Sequence, residues 1–198
     1  MRKLQMVDLS SQYARIQDAV NAGLQEVIQS TQFINGTATK QFTAALAQYQ
    51  GLQHVIPCAN GTDALQIALM ALDLQEGDEV ITVPFTFVAT VEVVALLKGK
   101  PVFVDVDPKT FNIDVTALRE AITPRTKAII PVHLFGQSAD MAPIMEVANE
   151  HGITVIEDNA QAIGGTYTFP DGTVKKTGTI GQMATTSFYP TKNLGGYG

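Results

Sequence analysis

Lys192 closes the stretch Ser187-Phe188-Tyr189-Pro190-Thr191-Lys192, a loop of small residues after an apolar run. A lysine amine so placed could form an imine with an aldehyde. Its ordinary pKa is about 10.4, so that role requires burial or neighbouring cations to lower it. The plain alternative is a surface lysine. Glu157-Asp158-Asn159-Ala160-Gln161 follows the run ITVI. Carboxylates at the carboxyl end of a parallel strand sit where α/β sheets bind ligands, and Asp158 could pair with a cationic ring nitrogen there. The alternative is a capping or solvated acidic turn. Asn60-Gly61-Thr62-Asp63 lies between an apolar run and a helical one. A helix start offers free N–H groups and a positive dipole end, which with a close-approach glycine and a hydroxyl suits a phosphate. Asn60 or Thr62 acting only as N-cap would be a plain helix start. The stretch is neither a Walker A loop nor a dinucleotide fingerprint.

Phe85-Thr86-Phe87 supplies aromatics that could stack on a flat ligand; Phe85 is the better candidate for the core, Phe87 for the ligand. His133, after the run AIIPV, reads as a hydrogen-bonding or packing residue. Asp105 and Asp107 in VDVD precede Pro108, whose turn argues for a structural role.

These residues need elements to hold them. Tyr13, Ile16, Val20, Leu24 and Val27 recur at spacings of three and four, which predicts one helix with an apolar face. Residues 33–36 read as a turn, and Phe42, Leu46 and Tyr49 as a second helix. From residue 54 short apolar runs alternate with helical stretches. Strands are expected over 54–58, 79–83, 101–104, 127–132, 153–157 and 182–188. Helices are expected over 63–72, 88–97, 115–121 and 142–151. The strand runs are apolar on both faces, the pattern of parallel strands covered on both sides, so the expected fold is a doubly wound α/β sheet. Residues 167–176 read as an exposed hairpin around PDGTVKK. The organisation expected is an N-terminal helical segment over 1–50 and a ligand-binding domain over 51–198. Each candidate site residue then falls at the carboxyl end of a strand. A phosphate cradle, a stacking ring, an acid for a pyridinium and a lysine for an aldehyde are together what pyridoxal phosphate needs.

Composition narrows the class. The chain has 198 residues, 45% hydrophobic and 16% charged, enough to bury a core rather than stay disordered. Its net charge of −6, with no basic cluster, argues against nucleic-acid binding. One cysteine, Cys58, excludes an internal disulfide framework and a cysteine zinc site; no metal centre is expected. The N-terminus is basic without an apolar core region, and no run of about 18 apolar residues exists, so neither a signal peptide nor a membrane span is expected. The expected setting is cytoplasmic.

The stretches NGTDALQIAL, GDEVITVPFTFVAT, PVFVDVDPKTFNID, ITPRTKAIIPVHLFGQ, VIEDNAQAIG and TTSFYPTKNLGGYG, in this order, resemble the DegT/DnrJ/EryC1/StrS family. The resemblance runs from about Val7 to Gly198. It implies the three-layer α/β/α large domain of the aspartate aminotransferase fold, with a mostly parallel central sheet and pyridoxal 5'-phosphate as cofactor. It implies that Lys192 holds the cofactor as an internal aldimine and then acts as the general base, and that Asp158 pairs with the ring nitrogen. Gln161 would lie beside the ring hydroxyl, Phe87 on the ring, and Gly61, Thr62 and Ser187 at the phosphate. Relatives that dehydrate sugars carry histidine at the lysine position, so Lys192 argues for transamination.

Family members run longer than this chain. The resemblance implies that the part after the glycine-rich loop supplies a further strand, a small C-terminal domain, here missing, and an asparagine reaching a partner subunit's cofactor. The function implied is amination of a nucleotide-linked keto-sugar with L-glutamate as donor, in surface polysaccharide (lipopolysaccharide, capsule or glycan) synthesis by a homodimer. CANGTDALQIALMAL with TSFYPTKNLGGYG looks most like enzymes aminating C3 of UDP-linked N-acetylated keto-uronic acids. A C4-aminating enzyme on a UDP- or dTDP-sugar is one alternative, and a non-catalytic fragment or interaction protein is another.

Overall fold

The computed structural model describes Leu4 and residues 6–197. Residues 1–3, 5 and 198, which belong to the N-terminal segment and the last motif, lie outside them. The chain divides into two compact units, Met1–Pro57 and Cys58–Gly198.

The first unit carries two helices. Helix α1 spans Leu9–Ser30 and is capped by the Asp8 carboxylate, which accepts from Ser11 N–H at 3.0 Å. The expected apolar stripe lies along it, yet none of its residues is buried. Helix α2 spans Thr37–Gln50 and stops at Gly51, whose φ of 76° is the left-handed geometry that glycine adopts without steric cost. Leu46 is its buried residue.

The second unit runs α3 (Gly61–Ala71), β1 (Glu79–Thr82), α4 (Ala89–Leu96), β2 (Lys100–Phe103), α5 (Val115–Ala121), β3 (Thr126–Ile129), α6 (Met141–His151), β4 (Thr154–Asp158), β5 (Thr166–Thr168), β6 (Val174–Lys176) and β7 (Met183–Thr185). Five strands form one parallel sheet in the order β2-β1-β3-β4-β7. Strands β5 and β6 form a separate antiparallel hairpin, where the sequence reads one.

Alternation along the strands builds two cores. Val80, Ala128, Ile130 and Ile156 face Leu65 and Leu69 of α3 and Val93 and Val94 of α4. Their neighbours Ile81, Ile129 and Val155 face Leu118 of α5 and Met141, Ile144 and Val147 of α6. Both faces of the sheet are therefore covered, which is why the strand runs are apolar throughout. The result is a three-layer α/β/α unit. Among the described residues, no helix is long and apolar enough to cross a membrane, and no group of three or more His, Cys, Asp or Glu could hold a metal.

Three strand expectations need correction. Residues 54–58 form no strand: among the described residues the apolar run has no ladder partner. The run expected over 127–132 ends as β3 at Ile129, because Pro131 has no N–H to donate to a ladder. The last strand, expected over 182–188, is only Met183–Thr185. Its final ladder bond is Asn159 N–H to Thr185 C=O at 2.8 Å, beyond which its partner turns away.

Candidate active site

The carboxyl end of β4 carries Asp158, which is only 5% exposed and so is no solvated turn. Its Oδ2 accepts from the Thr90 hydroxyl at 2.8 Å, and its Oδ1 from Ala160 N–H at 3.2 Å. The Thr86 and Thr90 hydroxyls lie 2.9 Å apart. A carboxylate can only accept, so Thr90 donates to Asp158 and Thr86 donates to Thr90. Burial pushes the Asp158 carboxyl above its usual range; the Thr90 hydroxyl and the Ala160 N–H hold it back.

Strand β7 lies beside β4 with Asp158 opposite Thr185. Two residues on, Ser187 meets the start of α3. A Cβ added at Gly61 would sit 2.9 Å from Ser187 Cβ, so only glycine lets the two segments approach this closely. Asn60 is the N-cap, its side chain accepting from Asp63 N–H at 2.9 Å. Thr62 is the second residue of the helix and half-buried. The Ser187 Oγ accepts from Tyr189 N–H at 3.3 Å, which leaves its own proton to donate. Helix start, glycine and two hydroxyl residues thus adjoin.

Lys192 is half-buried, in a turn closed by its own N–H to Tyr189 C=O at 2.8 Å. The chain then doubles back, with Gly196 N–H donating to Phe188 C=O at 2.7 Å. A Cβ at Gly195 would lie 2.1 Å from Pro190 O, so this return admits no side chain.

Gln161 is half-buried one turn after Asp158, and its Oε1 accepts from Phe135 N–H at 2.7 Å. Phe87 is 64% exposed in the loop before α4. Phe85 is not a core residue as expected. It is 47% exposed, with its ring against Phe111 and Phe135 at centroid distances of 5.8 and 6.4 Å. It follows the end of β1, where the chain has already left the two cores.

Glu157 points away from Asp158, as alternate strand residues must. It is fully buried. Its Oε2 meets His133 Nε2 and Gly178 N–H, each at 2.8 Å. Its Oε1 accepts from Ile180 N–H at 2.6 Å and Gly181 N–H at 2.7 Å. His133 Nδ1 accepts from Ala139 N–H, so the ring proton is on Nε2 and donates to Glu157. Burial pushes this carboxyl up, but the His133 contact and the N–H groups outweigh it and hold it below its ordinary range. His133 is a packing and hydrogen-bonding residue, as its sequence setting suggests. Asp107 Oδ1 accepts from Lys109 and Thr110 N–H in a turn, again a structural part.

Sequence reasoning missed Thr86 and Thr90. The available signal was Thr90 itself, the only hydroxyl early in the apolar helix ATVEVVAL. The residues present fit pyridoxal phosphate: a glycine at a helix start packed close against a serine, a buried acid, and a half-buried lysine amine.

The sequence signature of the DegT/DnrJ/EryC1/StrS aminotransferase family matches residues 14–198. The chain is 50% identical to the UDP-2-acetamido-2-deoxy-3-oxo-D-glucuronate aminotransferase of Pseudomonas aeruginosa, covering 98% of this chain and 53% of that protein. A crystal structure of a DegT DnrJ EryC1 StrS aminotransferase from Brucella abortus superposes with a TM-score of 0.93 at 44% identity, over 99% of this chain and 53% of that one. The Bacillus subtilis protein NtdA, solved with bound cofactor PMP, gives a TM-score of 0.89 at 38% identity, over 100% of this chain and 44% of that one. The chain thus spans about half the length of the relatives it matches. With the sequence signature, the fold and the likeness to solved members in agreement, this chain belongs to the DegT/DnrJ/EryC1/StrS aminotransferase family.

Proposed function

We propose that the protein carrying this sequence moves an amino group from L-glutamate to a nucleotide-linked keto-sugar, using pyridoxal phosphate held at Lys192. The finer reading is C3 amination of a UDP-linked N-acetylated keto-uronic acid for surface polysaccharide synthesis, in a homodimer. The likeness to the Pseudomonas aeruginosa enzyme supports that substrate class. The observation that carries the reading is the buried Asp158 carboxylate at the end of β4, held by the Thr90 hydroxyl and the Ala160 N–H.

Roles follow from that arrangement. The chemistry supplied by pyridoxal phosphate, when bound, is storage of the amino group between donor and acceptor and uptake of an electron pair by its ring. Gly61, Thr62 and Ser187 bind the phosphate with helix-start N–H groups and hydroxyls. Asp158 holds a proton on the ring nitrogen, and Thr90 and Thr86 keep its carboxylate in register. Phe87 covers the ring, and Gln161 meets the ring oxygen. Lys192 Nζ carries the proton to and from the reacting carbon.

Borohydride reduction with pyridoxal phosphate, followed by peptide mapping, tests the site. The expected label is stoichiometric on Lys192 and lost in Lys192→Ala. The activity test is formation of 2-oxoglutarate dependent on both glutamate and a UDP-keto-sugar. Scattered label, or amination with no need for glutamate, overturns the reading.

A further inference from the structure

The sharpest unexplained feature of the second unit is the turn Leu134–Gly136. Phe135 has φ 54° and Gly136 φ 88°, two consecutive residues in the left-handed region. Glycine adopts this readily; phenylalanine does so at a cost. Burial of the ring does not explain it, since Phe135 is 78% exposed and its ring meets only Phe85 edge-on among the described aromatics. Such backbone persists only where the surroundings impose it, and it gathers at functional sites.

The surroundings do impose it. Asn112, buried at 4% exposure, clamps both ends of the turn. Its Oδ1 accepts from Leu134 N–H at 3.4 Å and its Nδ2 donates to Ser138 C=O at 2.9 Å. Just before the turn, His133 N–H donates to Asp158 C=O at 3.1 Å, tying it to the end of β4. The product of this geometry is one aimed N–H, that of Phe135, 2.7 Å from Gln161 Oε1.

We propose that the turn at residues 135–136 is a positioning element that fixes the Gln161 amide, so that Gln161 presents N–H and not C=O to the cofactor's ring oxygen. Only the amide oxygen can accept from a backbone N–H, so the bond to Phe135 decides which way the amide faces. Among the described residues Nε2 has no protein acceptor, and it is the group left to donate. A free side chain would present either face to the ring. The strained turn removes that choice before any ligand arrives. The inference rests on the function proposed above.

The test is a pH titration of the visible absorption band of lysine-bound cofactor, in the intact protein carrying this sequence. A donor on the ring oxygen stabilises its anionic form and lowers the band's pKa. Gln161→Glu keeps the acceptor for Phe135 but replaces the donor with a charge, and raises that pKa by about one unit or more, tenfold in proton dissociation. Gln161→Met, with neither donor nor charge, moves it the same way by less. Gly136→Ala strains the turn without filling space, as the nearest atom to its Cβ is Gln161 O at 3.5 Å, and also raises the pKa. Circular dichroism checks that each variant is folded. An unchanged pKa in Gln161→Glu, or in Gly136→Ala while Gln161→Glu shifts, overturns the positioning role alone. Absence of the band in the wild type overturns the proposed function and this inference with it.

Discussion

Glu157→Gln is a one-atom change whose cost the structure specifies. The four N–H groups that reach this carboxylate divide in pairs, Ile180 and Gly181 on Oε1 and His133 and Gly178 on Oε2. Glutamine keeps one oxygen. Whichever pair it serves, its NH2 faces the other pair, donor against donor. The histidine cannot adapt by moving its proton, because Nδ1 is already the acceptor for Ala139 N–H. Two buried donors are therefore left without an acceptor. At about 1–3 kcal/mol each, the loss is about 4 kcal/mol. For a chain of this size that lowers the thermal midpoint by about 8–16 °C. The assay is thermal unfolding followed by circular dichroism, wild type against variant, across pH. The folded Glu157 pKa is depressed, so its stabilising contribution is present above the unfolded value of about 4.3 and is lost as pH falls through the folded one. The gap between the two proteins should narrow in acid. A midpoint within about 2 °C of wild type at pH 7 would refute the donor count, since that is under about 1 kcal/mol.

Asp158→Asn should behave oppositely. Its folded pKa is raised by burial, so the charge costs the apo protein stability above the ordinary carboxylate range. The variant is expected to melt higher at pH 7 without cofactor, with the difference vanishing in acid, and to lose activity; a lower apo midpoint would count against the burial argument. Gly61→Ala forces a methyl to 2.9 Å from Ser187 Cβ and should weaken pyridoxal phosphate binding by about tenfold or more, for overpacking of about 1–3 kcal/mol. Wild-type affinity by absorbance titration would show that the phosphate sits elsewhere. Glu79, buried at the start of β1, is held at a pKa of about 2, chiefly by the Thr123 hydroxyl and then by Arg125 and Lys100. Its contribution is present above about 4.3 and fades toward pH 2, so Glu79→Gln should flatten the acid limb of the stability profile. A steep limb retained in the variant would assign acid unfolding to other groups.

Local pattern along the chain specified the layers. Runs apolar on both faces can be satisfied only between two helical layers, and Val80 and Ile81 divide between the two cores as alternation requires. The place of Asp158 at the carboxyl end of β4 was likewise legible, because its acidic motif follows the apolar run ITVI. What local pattern cannot carry is whether a run finds a partner. Residues 54–58 are apolar and form no strand, and β7 stops where β4 stops. Nor can it carry side-chain company. Phe85 is as apolar as any core residue, yet it follows the end of β1 and packs on two exposed rings. Glu157 and Asp158 are neighbours in one acidic motif. Only the pleat sends Asp158 toward Thr90 and Glu157 into the N–H groups of residues 178–181. The orientation of the Gln161 amide was beyond any reading of the chain, for it depends on one N–H donated from 26 residues away by a turn that Asn112 clamps.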